Sequence, residues 1–205
     1  MESSVKPNPS KLNPALLVFL IFPIAGMVVA FIIATQGNGN SSALVPPTVV
    51  YTPDTLIGTS APDFALKTPA GDIIRLSSLK GQWVFLNFWA TWCQPCQEEM
   101  PLFQRVVNGE FDGDGSASLK GKIALVAVDN RETLEDVTTF LKNNGLNVPV
   151  GLDPDGAINN RYRIIQMPIT YLIDPAGVIR YQQVGQMTPA LLNGYLDFIR
   201  KQASS

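Results

Sequence analysis

A largely apolar run of strand length, Val84 to Trp89, leads through Ala90-Thr91 into Trp92-Cys93-Gln94-Pro95-Cys96, and this junction limits the possible folds more than any other stretch. Such a run suits a strand covered on both faces, so it belongs in the centre of a sheet. A helix is expected to open at Cys93 and run through Glu98, Glu99, Leu102, Phe103 and Val106, with Pro101 removing one backbone bond and kinking it. A thiol at a helix N-terminus is shifted toward thiolate by the helix dipole and the unpaired N–H groups. Cys93 therefore reads as the attacking sulfur. Cys96, one turn further in, can attack the mixed disulfide that Cys93 forms, freeing the reduced partner and leaving a Cys93–Cys96 bridge. That dithiol is the redox group, and no separate cofactor is expected.

The chain has 2 cysteines and no histidine. A zinc site would lack ligands for a closed tetrahedron, so no metal is expected. Haem attachment through C-x-x-C-H and hydrolases of the Ser-His or Cys-His kind are excluded by the same lack of histidine. An inert structural disulfide closing so short a loop would restrict the unfolded chain little.

At 205 residues the chain holds one average globular domain with appendages. Its formal charge of −2 and the absence of a basic stripe argue against nucleic acid as a partner. Leu16 to Ala34, LLVFLIFPIAGMVVAFIIA, carries no charge and is long enough to cross a bilayer as one helix. A cleaved signal peptide is the competing reading, but its apolar region is usually shorter, and Ile32-Ile33-Ala34 is a poor cleavage site. Lys6 and Lys11 precede the run and no Lys or Arg follows until Lys67, which puts the N-terminus in the cytoplasm. The expected organisation is a short cytoplasmic N-terminus (1–14), a single-pass cell-membrane anchor (15–35), a Gly-, Asn-, Ser- and Pro-rich tether (36–56) and an extracytoplasmic redox domain (57–205), with Ala61-Pro62-Asp63-Phe64 opening its compact part.

Within that domain, Phe64 to Leu66 and Ile73 to Leu76 read as a hairpin around Thr68-Pro69-Ala70-Gly71. Asn108 to Lys122 is polar and reads as a surface loop; Asp112 and Asp114 imitate a calcium loop without its Gly and terminal Glu. A strand over Ile123 to Val128 leads to a helix near Thr133 to Asn144, with Leu134, Val137, Phe140 and Leu141 at helical spacing and Gly145 ending it. A short strand over Val148 to Leu152, the turn Asp153 to Gly156, a helix over Ala157 to Tyr162, strands over Thr170 to Ile173 and Val178 to Val184, and a helix over Pro189 to Lys201 complete a mixed α/β pattern.

With Phe88-Trp89-Ala90-Thr91-Trp92-Cys93-Gln94-Pro95-Cys96, the distal Met167-Pro168 and the apolar N-terminal run, the chain resembles membrane-tethered thioredoxin-like proteins of the TlpA and ResA type, the DsbE/CcmG-like thiol–disulfide oxidoreductases, over Ser60 to Lys201. The resemblance implies a thioredoxin-like mixed sheet flanked by helices, with an added hairpin around Gly71 and a central insertion over Arg131 to Arg163. It implies a cis peptide bond before Pro168, which would lie against Cys93 and Cys96, and substrate contacts from Trp92, Gln94, Pro95 and Met167. A strand-edge proline in trans is the plainer reading of Pro168. Glu99, three residues after Cys96, shares its helix face; the resemblance implies that it tunes the thiols, while a first-turn acid favoured by the helix dipole remains open.

Two departures stand out. Asn87 occupies the place where cytosolic thioredoxin has a buried aspartate, and Asn cannot take a proton at neutral pH. Any general base must then be Glu99 or water, with Glu98 less suitably placed. Ile169 stands where threonine is more frequent, which changes surface shape beside the substrate backbone. A peroxidase would be expected to carry its cysteine in a T-x-x-C setting. Trp92 could rim a partner site with Trp89, although Trp89 reads better as core. The implied function is a protein-disulfide reductase that passes electrons from a membrane-embedded donor of the CcdA or DsbD kind to apocytochrome c or another exported thiol protein. A disulfide-forming oxidase or isomerase, and a non-catalytic assembly module, are the competing readings.

Overall fold

The computed structural model describes residues 56–110, 119 and 121–203. The expected anchor, almost all of the tether, and Asp112 and Asp114 lie outside the described residues. Among the described residues no helix is long and apolar enough to cross a membrane.

Among the described residues, seven strands and four α-helices follow one another as β1 (Ala65–Lys67), β2 (Ile73–Arg75), β3 (Trp83–Trp89), α1 (Gln94–Asn108), β4 (Ile123–Asp129), α2 (Leu134–Asn143), β5 (Val150–Gly151), α3 (Ala157–Arg161), β6 (Ile169–Ile173), β7 (Ile179–Val184) and α4 (Pro189–Ala203), with a 3-10 turn at Leu76–Leu79 after β2. Five strands form one sheet in the order β5-β4-β3-β6-β7. β3 is central, parallel to β4 and antiparallel to β6. The parallel β3–β4 pair needs a long crossover, and α1 supplies it.

All seven residues of β3 are buried, and the strand's two-residue alternation sends them into two cores. Trp83, Phe85 and Trp89 face the core that takes in Cys96, Met100, Phe103 and Val106 of α1 with Leu192, Leu196 and Ile199 of α4. Val84, Leu86 and Phe88 face the other core, with Phe64, Tyr162 and Tyr171. The Tyr162 hydroxyl donates to the Pro62 carbonyl at 2.7 Å, and Tyr171 donates to the Tyr162 carbonyl at 3.1 Å. Both rings are thus buried without leaving a hydroxyl unpaired.

The hairpin forms where the turn residues put it, with Gly71 at φ +92°. It also leans on the insertion. Leu152 N donates to the Lys67 carbonyl at 2.8 Å, and a Cβ on Gly151 would come within 2.9 Å of Leu66. Close approach of the Leu66 side chain to the β5 backbone therefore explains the glycine there. The insertion itself supplies α2, β5 and α3; α2 begins with a capping box in which Thr133 Oγ1 accepts from Asp136 N at 3.2 Å and Asp136 accepts from Thr133 N at 3.4 Å.

Two local expectations need correction. Leu134, placed in the buried stripe by its spacing, is 53% exposed, because it lies in the first turn and the buried face starts at Val137. Leu119 belongs to a stretch read as a surface loop, yet it is fully buried in the core beside α1. At the N-terminal side, Leu56 packs against the second core, and Gly58 N and the Thr59 carbonyl both bond to Ile179 ahead of Ala61.

Candidate active site

The turn into α1 is built so that one sulfur faces outward and one inward. Cys93 caps the helix in an extended conformation, and Gln97 N donates to its carbonyl at 3.0 Å. Pro95 sits in the first turn, where its missing N–H leaves no bond unmade. At the far end Gly109, at φ +71°, and Glu110 donate back to Val106 and Arg105 in a left-handed cap. The helix continues through Pro101 to Asn108.

Cys93 and Cys96 form a disulfide with their Cα atoms 5.2 Å apart. Cys96 is completely buried, whereas Cys93 retains 7% exposure and lines an open cleft. Trp92, Pro95, Ile165, Gln166 and Met167 line that cleft with it. Trp92 stands 64% exposed on its rim, while Trp89 is buried against Phe140. The Met167–Pro168 bond is cis, and Pro168 leads into β6, whose Ile169 pairs with Phe88 of β3. Gln94 does not line the cleft; its amide donates to Glu98 at 3.1 Å on the exposed side of α1.

One helical turn after Cys96, Glu99 is 1% exposed. Its Oε1 accepts from Asn87 Nδ2 at 2.7 Å and its Oε2 from Met187 N at 2.6 Å. Burial pushes its carboxyl up to about 7, against the pull of those two donors. Asn87 Nδ2 also donates to Thr170 Oγ1 at 3.1 Å, while Asn87 Oδ1 is buried without a partner among the described residues. The buried face of α1 and the alternation of β3 thus bring together Cys96, Glu99 and Asn87.

Sequence reading missed a second group of buried acids at the start of the insertion. Asp129 Oδ2 accepts from Glu132 N at 2.8 Å, and its Oδ1 accepts from Asp153 N. Burial is the main cause that lifts Asp129 to about 6, with the neighbouring Glu132 and Asp153 carboxylates adding to it. Glu132 in turn accepts from both the N–H and the hydroxyl of Thr91. The available signal was the acidic stretch Asp129-Asn130-Arg131-Glu132 at a strand's end, which by itself does not point at Thr91.

The sequence profile described as the AhpC/TSA family matches residues 57–182. This chain belongs to that family. It is 36% identical to the thiol–disulfide oxidoreductase ResA of Bacillus subtilis over 148 residues, 72% of this chain and 78% of the relative. A candidate thiol:disulfide interchange protein DsbE from Chlorobium tepidum superposes with a TM-score of 0.59 at 29% identity, covering 73% of this chain and 98% of that one. StoA from Bacillus subtilis superposes with a TM-score of 0.55 at 30% identity, covering 66% of this chain and 97% of that one. The fold is thioredoxin-like, and the chain is a thiol–disulfide oxidoreductase.

Proposed function

We propose that this enzyme is a membrane-tethered reductase working outside the cytoplasm, where it reduces disulfides of apocytochrome c or other exported proteins. The observation that carries the direction of transfer is the buried Glu99 carboxyl one helical turn after a dithiol whose first helical turn, Gln94 to Gln97, contains no cation. A strong oxidant needs a stabilised thiolate, and an acid in an apolar site works against one. The same feature disfavours the oxidase and isomerase readings.

In this reading the Cys93 thiolate attacks a partner disulfide across the cleft, forming one mixed disulfide and releasing one partner thiolate. Cys96 then gives its proton to the Glu99 carboxylate and attacks Cys93, which releases the second partner thiolate and closes the Cys93–Cys96 bridge. Two electrons pass to the partner. Pro168 brings no competing N–H to the sulfurs, Met167 offers its backbone to the bound segment, and Trp92 and Pro95 frame it. A membrane-embedded dithiol donor of the CcdA or DsbD kind restores the reduced pair. The uncharged run at Leu16 to Ala34 and its flanking lysines support the tether and its orientation.

Trapping tests this directly. Full-length Cys96→Ser, expressed in a host that makes c-type cytochromes, should accumulate mixed disulfides through Cys93, with apocytochrome c among the captured proteins. Capture of no exported protein would overturn the reading, and an adapter would keep its cellular role in Cys93→Ser.

A further inference from the structure

Thr91 precedes Cys93 by two residues, and all three of its polar groups are held. Its N–H donates to Glu132 Oε2 at 2.8 Å, its hydroxyl donates to Glu132 Oε1, and its carbonyl accepts from Gln97 Nε2. Glu132 reaches this loop from the insertion, and only 8% of it is exposed. Three features aim it. Asp129 Oδ2 accepts its N–H at 2.8 Å. Arg131 turns the chain with φ +61°, a left-handed conformation uncommon outside glycine. Arg131 is held there by its own N–H to the Asp153 carbonyl at 3.3 Å and by Nη2 to Asn160 Oδ1 at 3.1 Å, its guanidinium lying over Gly156, where a Cβ would approach Nε to 2.1 Å. A residue in so strained a turn, with its successor's carboxylate gripping two donors, is a built arrangement.

We propose that Glu132 is a positioning residue for the dithiol: by holding both donors of Thr91 it fixes the connection between β3 and α1, and so keeps Cys93 within bonding reach of Cys96. The proposal rests on the exchange chemistry of the Cys93–Cys96 pair and is independent of the partner and of the direction of transfer. Its consequence is on the equilibrium between dithiol and disulfide. A loop that is free to wander lowers the effective concentration of one thiol for the other, and the intramolecular disulfide weakens. The balanced reaction that reads this is exchange with dithiothreitol, in which the protein disulfide becomes two thiols and dithiothreitol closes to its cyclic disulfide.

Full-length protein in detergent is equilibrated in dithiothreitol redox buffers, alkylated, and the oxidised fraction counted by mass spectrometry. Glu132→Ala should lower the oxidised-to-reduced ratio about tenfold, equivalent to about 30 mV. Thr91→Val, which removes only the hydroxyl, should shift it the same way by about threefold, and the double variant should shift no further than Glu132→Ala, since the hydroxyl bond that Thr91→Val removes is already lost in Glu132→Ala. Glu132→Gln keeps an acceptor for the N–H, and its amide can donate to the hydroxyl, so it should stay close to wild type. A folded Glu132→Ala within twofold of wild type would overturn the proposal. Should that variant not fold, Thr91→Val decides alone, and an unchanged ratio there overturns the proposal equally. A wild type that fails to equilibrate at all would instead refute the exchange chemistry.

Discussion

Glu99 and Asp129 are both buried acids near the end of β3, yet they hold different kinds of partner. Asp129 takes the backbone N–H groups of Glu132 and Asp153, both fixed parts of turns. Glu99 takes one backbone N–H, from Met187, and one side-chain amide, from Asn87. Burial raises both, to about 7 for Glu99 and about 6 for Asp129. The difference lies in what a change of protonation would disturb. Around Asp129 it would loosen the turn that aims Glu132 at Thr91. Around Glu99 one partner is an amide that can rotate to offer its oxygen to a protonated acid, and Asn87 Oδ1 is without a partner among the described residues. One acid is placed as scaffold, the other where a proton can come and go.

Asp129→Ala should break the comparison most severely. Two N–H groups lose their acceptor, and at about 1–3 kcal/mol each the variant should lose about 4 kcal/mol of stability in denaturant unfolding. A loss below about 1 kcal/mol would remove Asp129 from the scaffold.

Glu99→Gln separates the two acids by pH. An acid whose folded pKa is raised stabilises the fold fully below its unfolded value, and this contribution is lost as pH rises through the folded value. For Glu99 the window runs from 4.5 to about 7, and the decline is on the order of 3 kcal/mol. For Asp129 it runs from 3.8 to about 6. Unfolding of the oxidised protein across pH should therefore show a decline extending to about 7; Glu99→Gln should remove the Glu99 share between 4.5 and about 7 and leave only the Asp129 share between 3.8 and about 6. An unchanged profile in Glu99→Gln would place the titration elsewhere. The smallest effect is expected from Asp129→Asn, which keeps one acceptor and should cost about 1–2 kcal/mol.

Much of the fold was legible because local signals agreed with tertiary need. The apolar run at Val84 to Trp89, the turn around Gly71 and the hairpin at Asp174 to Gly177 each carry their own chemistry. Leu119 was not legible, since a single leucine among Gly, Asp and Ser has no period to reveal it. Leu134 misled because spacing tells which residues share a face, and the start of a helix often precedes contact. The cysteines were plain from spacing alone. Glu99 was legible as a neighbour of Cys96, but its burial depends on Asn87 and Met187, which lie 12 and 88 residues away. Glu132 was invisible for a similar reason, since its link to Thr91 spans 41 residues and depends on a left-handed arginine that no sequence pattern announces.

The central claim is that this dithiol donates electrons, and the reduction potential of Cys93–Cys96 in the full-length protein tests it most directly, with the exposed Trp92 as a fluorescence reporter. A value near or below about −270 mV is expected of a reductant that must be supplied with electrons, whereas one near about −120 mV would make the protein an oxidant and contradict the account.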